Sequence, residues 1–108
     1  MYNNLLYVTH IRDELLFLMR MRDSLSYESL LEDDVKQRAI IRSIEVIGEA
    51  ANTVSKEFAL LHPEIPWRKL VDTRNRLIHG YFTVSLSIVW QILVSEVEPL
   101  LVQVQSLF

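Results

Sequence analysis

The segment VKQRAIIRSIEVIGEAANTVSKEF, residues 35–58, has the apolar spacing of a long amphipathic helix. Its apolar residues recur every three or four positions and so share one side of a helix: Val35, Ala39, Ile40, Ile44, Ile47, Ala51, Val54 and Phe58. Asp33 or Asp34 can cap its first turn, and the helix is predicted to continue to about Leu61. The small residue Gly48 would let another helix approach closely. The segment therefore predicts an all-α fold in which this helix packs against others.

Further helices are predicted on both sides of this segment, because the chain has only two glycines and three prolines that could interrupt them. Apolar spacing predicts helices over about 3–23, 67–78 and 85–105, with a short helical turn at 27–31. Gly80 is expected to end the third long helix, and Pro99 should kink or interrupt the last one. The predicted architecture is an up-and-down bundle of four to five helices, forming one domain over residues 1–108.

Composition bounds the class of protein. Half of the 108 residues are apolar, and a small bundle hides that much apolar surface more easily by pairing, so a homodimer is expected. The sequence has no cysteine, which excludes disulfides and thiolate metal sites and fits a cytoplasmic protein. Residues 1–4 lack the features of a signal peptide, and the apolar run 15–19 is far shorter than the roughly 20 residues of a membrane span. No membrane segment is therefore expected.

Charge is unevenly distributed along the chain. The net charge of -3 argues against a protein that coats nucleic acid non-specifically. Residues 66–79 nevertheless carry five basic side chains against the single acid Asp72: Arg68, Lys69, Arg74, Arg76 and His79. A solvated helix face explains such a cluster, and a local phosphate-binding site is the alternative hypothesis.

The motif RNRLIHGY, residues 74–81, concentrates polar groups at a predicted helix end. His79 shares a helix face with Asn75 and Arg76, whereas Arg74 must reach it with its long stem. An imidazole, with an ordinary pKa of about 6.5, can take the proton of a ribose 2′-hydroxyl or return one to the leaving 5′-oxygen. A guanidinium can hold the phosphate between them. The set suits RNA cleavage without a metal, although the spacing alone also fits a surface Arg and a helix-end His.

A longer set of motifs is similar to the signature of HepT-like proteins in the HEPN superfamily. Three of them follow one another in the second half of the chain: Ile65-Pro66-Trp67, the stretch from Arg74 to Phe82, and Ile88-Val89-Trp90. Val46-Ile47-Gly48-Glu49-Ala50 and Arg42 fit the same pattern upstream, so the resemblance covers almost the entire chain. It implies an all-α homodimer whose nuclease groove lies at the dimer interface.

The same resemblance implies a role for each motif residue. Arg74 and His79 match the catalytic pair of the family, and Asn75 matches the polar position after the motif Arg. Tyr81 matches a Tyr to which, by this resemblance, a minimal nucleotidyltransferase antitoxin transfers AMP from ATP and so inactivates the toxin. The implied function is a toxin of a toxin–antitoxin pair, a metal-independent endoribonuclease acting on tRNA or mRNA. The chain needs no cofactor of its own, since the partner would use the ATP.

Two further residues, Arg76 and Glu49, are predicted to support the site. Glu49 lies on an otherwise apolar helix and is expected to pair with Arg74 or Arg76, with a plain structural ion pair as an equal alternative. No His or Cys spacing typical of a zinc site occurs, so no metal is expected. A rival hypothesis makes the chain a non-catalytic helical subunit that docks a nucleotidyltransferase.

Overall fold

The computed structural model describes residues 3–78 and 85–108, and helices account for most of them. The helices are α1 (Asn4–Ser24), α2 (Tyr27–Glu32), α3 (Asp34–Thr53), α4 (Lys56–Leu61), α5 (Trp67–Ile78), α6 (Leu86–Gln91), a π-helical segment (Ile92–Glu96) and α7 (Val97–Gln105). The last three follow one another without a break. The described residues contain no strand, and the all-α prediction is confirmed.

Short polar side chains begin several of these helices by accepting hydrogen bonds from the free amides of the first turn. The Asn3 side chain accepts from the Leu6 amide at the start of α1. Of the two predicted caps for α3, Asp33 is the one used, accepting from the Lys36 amide at 3.0 Å. The helical turn predicted at residues 27–31 is present as α2.

The prediction of one helix from Asp34 to Leu61 is wrong, because α3 ends at Thr53 and α4 begins at Lys56. Ser55 accepts a hydrogen bond from the Phe58 amide and so caps a new helix. Asn4 of α1 fixes this break from outside, since its side chain accepts from the Ser55 amide at 2.9 Å and donates to the Ser55 hydroxyl at 3.2 Å. Serine favours such local bonds over a helix interior.

The core forms around α3, which packs against α1 on one side and α5 on another, while α1 also packs against α7. The most deeply buried apolar side chains come from most of the helices: Val8, Ile11, Leu15, Leu18, Leu30, Ile40, Val89, Leu93, Val97 and Val104. Ile65, in the segment before α5, is also buried and anchors the entry to that helix. The result is a bundle in which α3 packs against both α1 and α5.

Pro99 changes the form of the last helix. Its nitrogen carries no hydrogen to donate to the carbonyl of Ser95, and its ring crowds that carbonyl in an α-helix. The chain widens into the π-helical segment just before this position, where the Val97 amide donates to the Ile92 carbonyl five residues earlier. The predicted kink or interruption is therefore realised as a π-helical segment that shifts the phase of the residues after it.

The stretch Leu86–Gln105 has the length and apolar composition that could cross a membrane. In the fold, one side of this stretch packs into the core, with seven side chains buried there: Val89, Ile92, Leu93, Val97, Leu100, Leu101 and Val104. The π-helical segment and α7 pack against α1, and α6 packs against α2 and α3, which accounts for that apolar side.

Candidate functional site

The helix α5 carries the described part of the polar motif. Pro66 precedes its first residue, where a proline suits the start of a helix, and the Trp67 indole donates to the His62 carbonyl at 3.1 Å. Leu70 and Leu77, seven residues apart, are buried on one side of the helix. This packing fixes the rotation of α5 and therefore the direction in which each polar residue leaves it.

The stem of Arg74 lies directly on Gly48 of α3. A Cβ built on Gly48 would collide with the Arg74 Cβ and lie 2.9 Å from its Cγ and Cδ. These atoms belong to the base of the side chain and cannot move aside without moving α5. Glycine at this position is therefore required for the contact between the two helices, as its small size predicted, and it determines where Arg74 starts.

Asn75 holds the charged end of Arg74. The Nε and one terminal nitrogen of the guanidinium donate to the Asn75 Oδ1 at 3.2 and 2.9 Å. Within residues 3–78 and 85–108, no carboxylate lies at ion-pair distance from this guanidinium. An amide orients the group without neutralising it, so its positive charge is available to an anion.

Arg76 lies on a different side of α5, about 200° round the helix from Arg74. One of its terminal nitrogens lies 3.5 Å from the Glu96 Oε2 and 3.4 Å from the Thr73 hydroxyl. The other Glu96 oxygen, Oε1, lies 3.7 Å from the Lys69 ammonium. The predicted supporting residue Arg76 is thus paired with an acid of the π-helical segment.

Glu49 does not make the ion pair expected of it. Its carboxylate lies 3.4 Å from the Arg42 guanidinium on the same helix, and both side chains are more than half exposed. Gly48 is the residue of α3 that faces Arg74, and Glu49 leaves the helix about 100° further round. The pairing with Arg74 or Arg76 is therefore wrong, and the alternative of a plain structural ion pair describes what is observed.

A family model named Ribonuclease HepT-like matches residues 11–107. The chain belongs to the HepT-like family. This confirms the resemblance carried by the motifs.

Named relatives of this HepT-like chain come from bacteria and archaea. A protein of Caldanaerobacter subterraneus subsp. tengcongensis named as a putative RNase is 38% identical over 101 residues, which cover 94% of this chain and 90% of that protein. A protein of Thermococcus cleftensis named as a probable ribonuclease HepT is 34% identical over 94 residues, covering 87% of this chain and 86% of its own length. No solved structure matches the chain.

Glu96 was not predicted from the sequence. It lies 20 residues after Arg76, and no motif links the two. Only Pro99, which changes the helix in front of it, hints that this region departs from a regular pattern. The basic cluster of residues 66–79 is therefore less uniform than its composition suggests. Arg68 pairs with Asp72 at 3.6 Å, whereas Lys69 and Arg76 share Glu96.

Three predicted features lie outside the described residues: His79 as acid or base, Gly80 as the helix end, and Tyr81 as the modified residue. The described part of the motif supplies a guanidinium that is oriented and not neutralised, together with an amide that holds it. The described residues contain no group of three or more His, Cys, Asp or Glu that could hold a metal ion. The arrangement can bind a phosphate and stabilise negative charge that develops on it.

Proposed function

We propose that this chain is a metal-independent endoribonuclease and the toxin of a toxin–antitoxin pair. Membership of the HepT-like family and relatives named as RNases support the ribonuclease part of this proposal. The observation that carries the site is Arg74, whose stem rests on Gly48 and whose charged end is held by Asn75. The substrate would be a cytoplasmic RNA, tRNA or mRNA.

Arg74 would bind the phosphate at the cleaved bond. A guanidinium offers parallel N–H donors that match two oxygens of a phosphate. Because the described surroundings hold it through an amide, binding a phosphate would not require breaking an ion pair first. Its charge would offset the negative charge that grows on the phosphate oxygens in the transition state.

His79 would move the protons. As a base it would take the proton of the ribose 2′-hydroxyl while the 2′-oxygen forms a bond to phosphorus. The bond from phosphorus to the 5′-oxygen breaks in the same reaction, and the departing oxygen takes a proton from an acid. The products are a 2′,3′-cyclic phosphate and a free 5′-hydroxyl. One chain has a single motif His, so a homodimer with two motifs across its axis would supply both the base and the acid.

The proposed homodimer has some support in the described surface. Val35, Leu60 and Leu61 are large apolar side chains that are 72–80% exposed in the single chain. They are consistent with a chain that covers part of its apolar surface with a second copy.

Tyr81 would be the point of regulation. A minimal nucleotidyltransferase antitoxin would transfer AMP from ATP to its hydroxyl, with release of pyrophosphate. Tyr81 is two residues after His79 and seven after Arg74 in the sequence. The negatively charged phosphate of the added AMP would compete with RNA for the Arg74 guanidinium, and the adenylyl group would obstruct the RNA. In this scheme Tyr81 switches the enzyme off and takes no part in cleavage.

The test of catalysis is cleavage of end-labelled tRNA and mRNA by the purified, unmodified chain in EDTA. His79→Ala should abolish cleavage, and the matched change His10→Ala, on the exposed surface of α1, should leave it intact. The labelled products should carry the cyclic phosphate. Equal behaviour of the parent and His79→Ala on both RNAs would overturn the nuclease and favour a docking subunit.

The test of regulation is incubation with the partner nucleotidyltransferase and ATP, followed by mass spectrometry of intact protein and of its peptides. The chain should gain one adenylyl group on Tyr81 and lose cleavage, and Tyr81→Phe should gain none. Full activity in a chain verified to be adenylylated at Tyr81 would contradict the regulatory role and leave the catalytic one standing.

A further inference from the structure

An open groove runs between α5 and the π-helical segment, on the side of α5 away from Arg74. Its lining comes from both elements and from the residue before α5: Pro66, Lys69, Thr73, Arg76, Ser95 and Glu96. Arg68 and Asp72 also border it and pair with each other at 3.6 Å. The groove therefore has two cations, Lys69 and Arg76, whose shared counter-ion comes from another helix.

Glu96 forms the floor of the groove and fixes these two cations. Its side chain is 18% exposed, whereas those of Lys69 and Arg76 are 56% and 50% exposed. Each carboxylate oxygen lies near a different cation, at 3.7 Å for Lys69 and 3.5 Å for Arg76. Both cations thus lie beside the Glu96 carboxylate and are about half exposed to solvent. Among the described residues, the Lys69 ammonium donates no hydrogen bond, and Arg76 donates only through one terminal nitrogen, to Thr73 and Glu96.

The charges of this groove match a single phosphodiester. Two cations over one carboxylate give a net charge of +1, and the neighbouring pair of Arg68 and Asp72 adds none. A backbone phosphate of RNA carries one negative charge and has oxygens that accept hydrogen bonds from lysine and arginine. An acidic peptide also carries negative charge, but it lacks the regular spacing of phosphates along an RNA strand.

We propose that this groove binds a phosphate of the RNA backbone other than the one that is cleaved, with Lys69 and Arg76 as donors and Glu96 as the residue that positions them. The assignment of the ligand as RNA rests on the proposed function. Arg74 and Arg76 lie on different sides of α5, so the phosphate that the groove binds is not the one that Arg74 would hold.

The experiment measures binding and not cleavage. A fluorescent 2′-O-methyl oligouridine lacks the attacking hydroxyl, and its dissociation constant is followed by anisotropy at several salt concentrations. Lys69→Gln and Arg76→Gln should each weaken binding severalfold and lower the slope of log Kd against log salt by about 0.7, the value for one phosphate contact on a single strand. Arg38→Gln removes an equal charge from an exposed position of α3 and should leave the slope unchanged.

The outcomes separate this site from the nuclease proposal. Unchanged slopes in both groove variants, with cleavage intact in the parent, would remove the groove from RNA binding and leave the proposed function standing. Lower slopes in both groove variants, with a parent chain that cleaves no RNA, would support RNA binding by the groove and overturn the nuclease proposal. If the variants lose affinity for ATP and not for the oligouridine, the groove holds a free nucleotide and the proposal fails. Circular dichroism of each variant checks its folding, and the half-exposed Lys69 offers the milder change.

Discussion

Two sides of α5 give two arginines different surroundings, although Arg74 and Arg76 are separated by one residue. Arg74 rests on a glycine of α3 and is held by the Asn75 amide. Arg76 lies over the Glu96 carboxylate, which also faces Lys69. One cation is oriented without being neutralised, and the other is oriented by an acid. The difference shows that whether an arginine of α5 has an acidic partner depends on which neighbouring helix its side of α5 faces.

The largest expected effect is a loss of catalysis when Arg74 is replaced. Arg74→Lys keeps the charge and removes the paired N–H donors, so kcat for RNA cleavage should fall about a hundredfold, equivalent to about 2.7 kcal/mol. Arg76→Lys should change kcat less than tenfold and act mainly on KM, because this residue is assigned to binding. Steady-state kinetics on a defined RNA provide both values. Equal losses of kcat in the two variants would erase the distinction.

The second prediction concerns the contact between Gly48 and the stem of Arg74. Gly48→Ala places a methyl group against the Arg74 stem and should lower the free energy of unfolding by about 1–3 kcal/mol, since overpacking moves α5 away from α3. The better helix propensity of alanine, worth about 1 kcal/mol, works against this loss. Urea denaturation measures the sum. Asn52→Ala, on the exposed surface of the same helix, is the control and should not destabilise the chain, while a Gly48 variant as stable as the parent would show that α5 adapts.

The Arg76 side can be made to resemble the Arg74 side. Glu96→Gln removes the shared acid and should cost about 1 kcal/mol in the free energy of unfolding, because this carboxylate is mostly buried between two cations. The control is Glu98→Gln, two positions away, where an exposed carboxylate raises the pKa of Arg22 through a 2.8 Å hydrogen bond. That control should lose less. A gain in stability for the Glu96 variant would mean that the cost of burying the charge exceeds the ion pairing.

The smallest expected effect concerns Glu49, which lies on the same helix as Gly48 and outside the contact with Arg74. Glu49→Gln breaks an exposed pair with Arg42 and should change the free energy of unfolding by less than about 0.5 kcal/mol. Thermal unfolding at low and high salt measures it. A loss larger than that of the Glu96 variant would indicate that Glu49 has a partner nearer to the site.

Much of the fold could be predicted because its causes are local. Apolar spacing located α1 and α5 to within one residue, and Asp33 was one of two predicted caps of α3 because a carboxylate satisfies the amides next to it. The break after Thr53 was not predicted, since the apolar spacing continues through Val54 and Phe58. The contact that fixes it comes from Asn4, 51 residues earlier. The predicted role of Gly48 was correct because a small residue on a long helix has few other uses.

The sequence by itself determined most of the helices, the HepT-like family and the identity of the motif residues, because helix periodicity, capping and motif spacing are properties of neighbouring residues. Only the tertiary structure decided which acid meets which base. Glu49 was expected either to pair with a motif arginine or to form a plain structural ion pair, and Glu96 is the observed partner of Arg76. Ion pairs between helices depend on the rotation and phase of each helix. Here the packing of Leu70 and Leu77 and the π-helical segment before Pro99 set both, and neither angle can be read from the spacing of one motif.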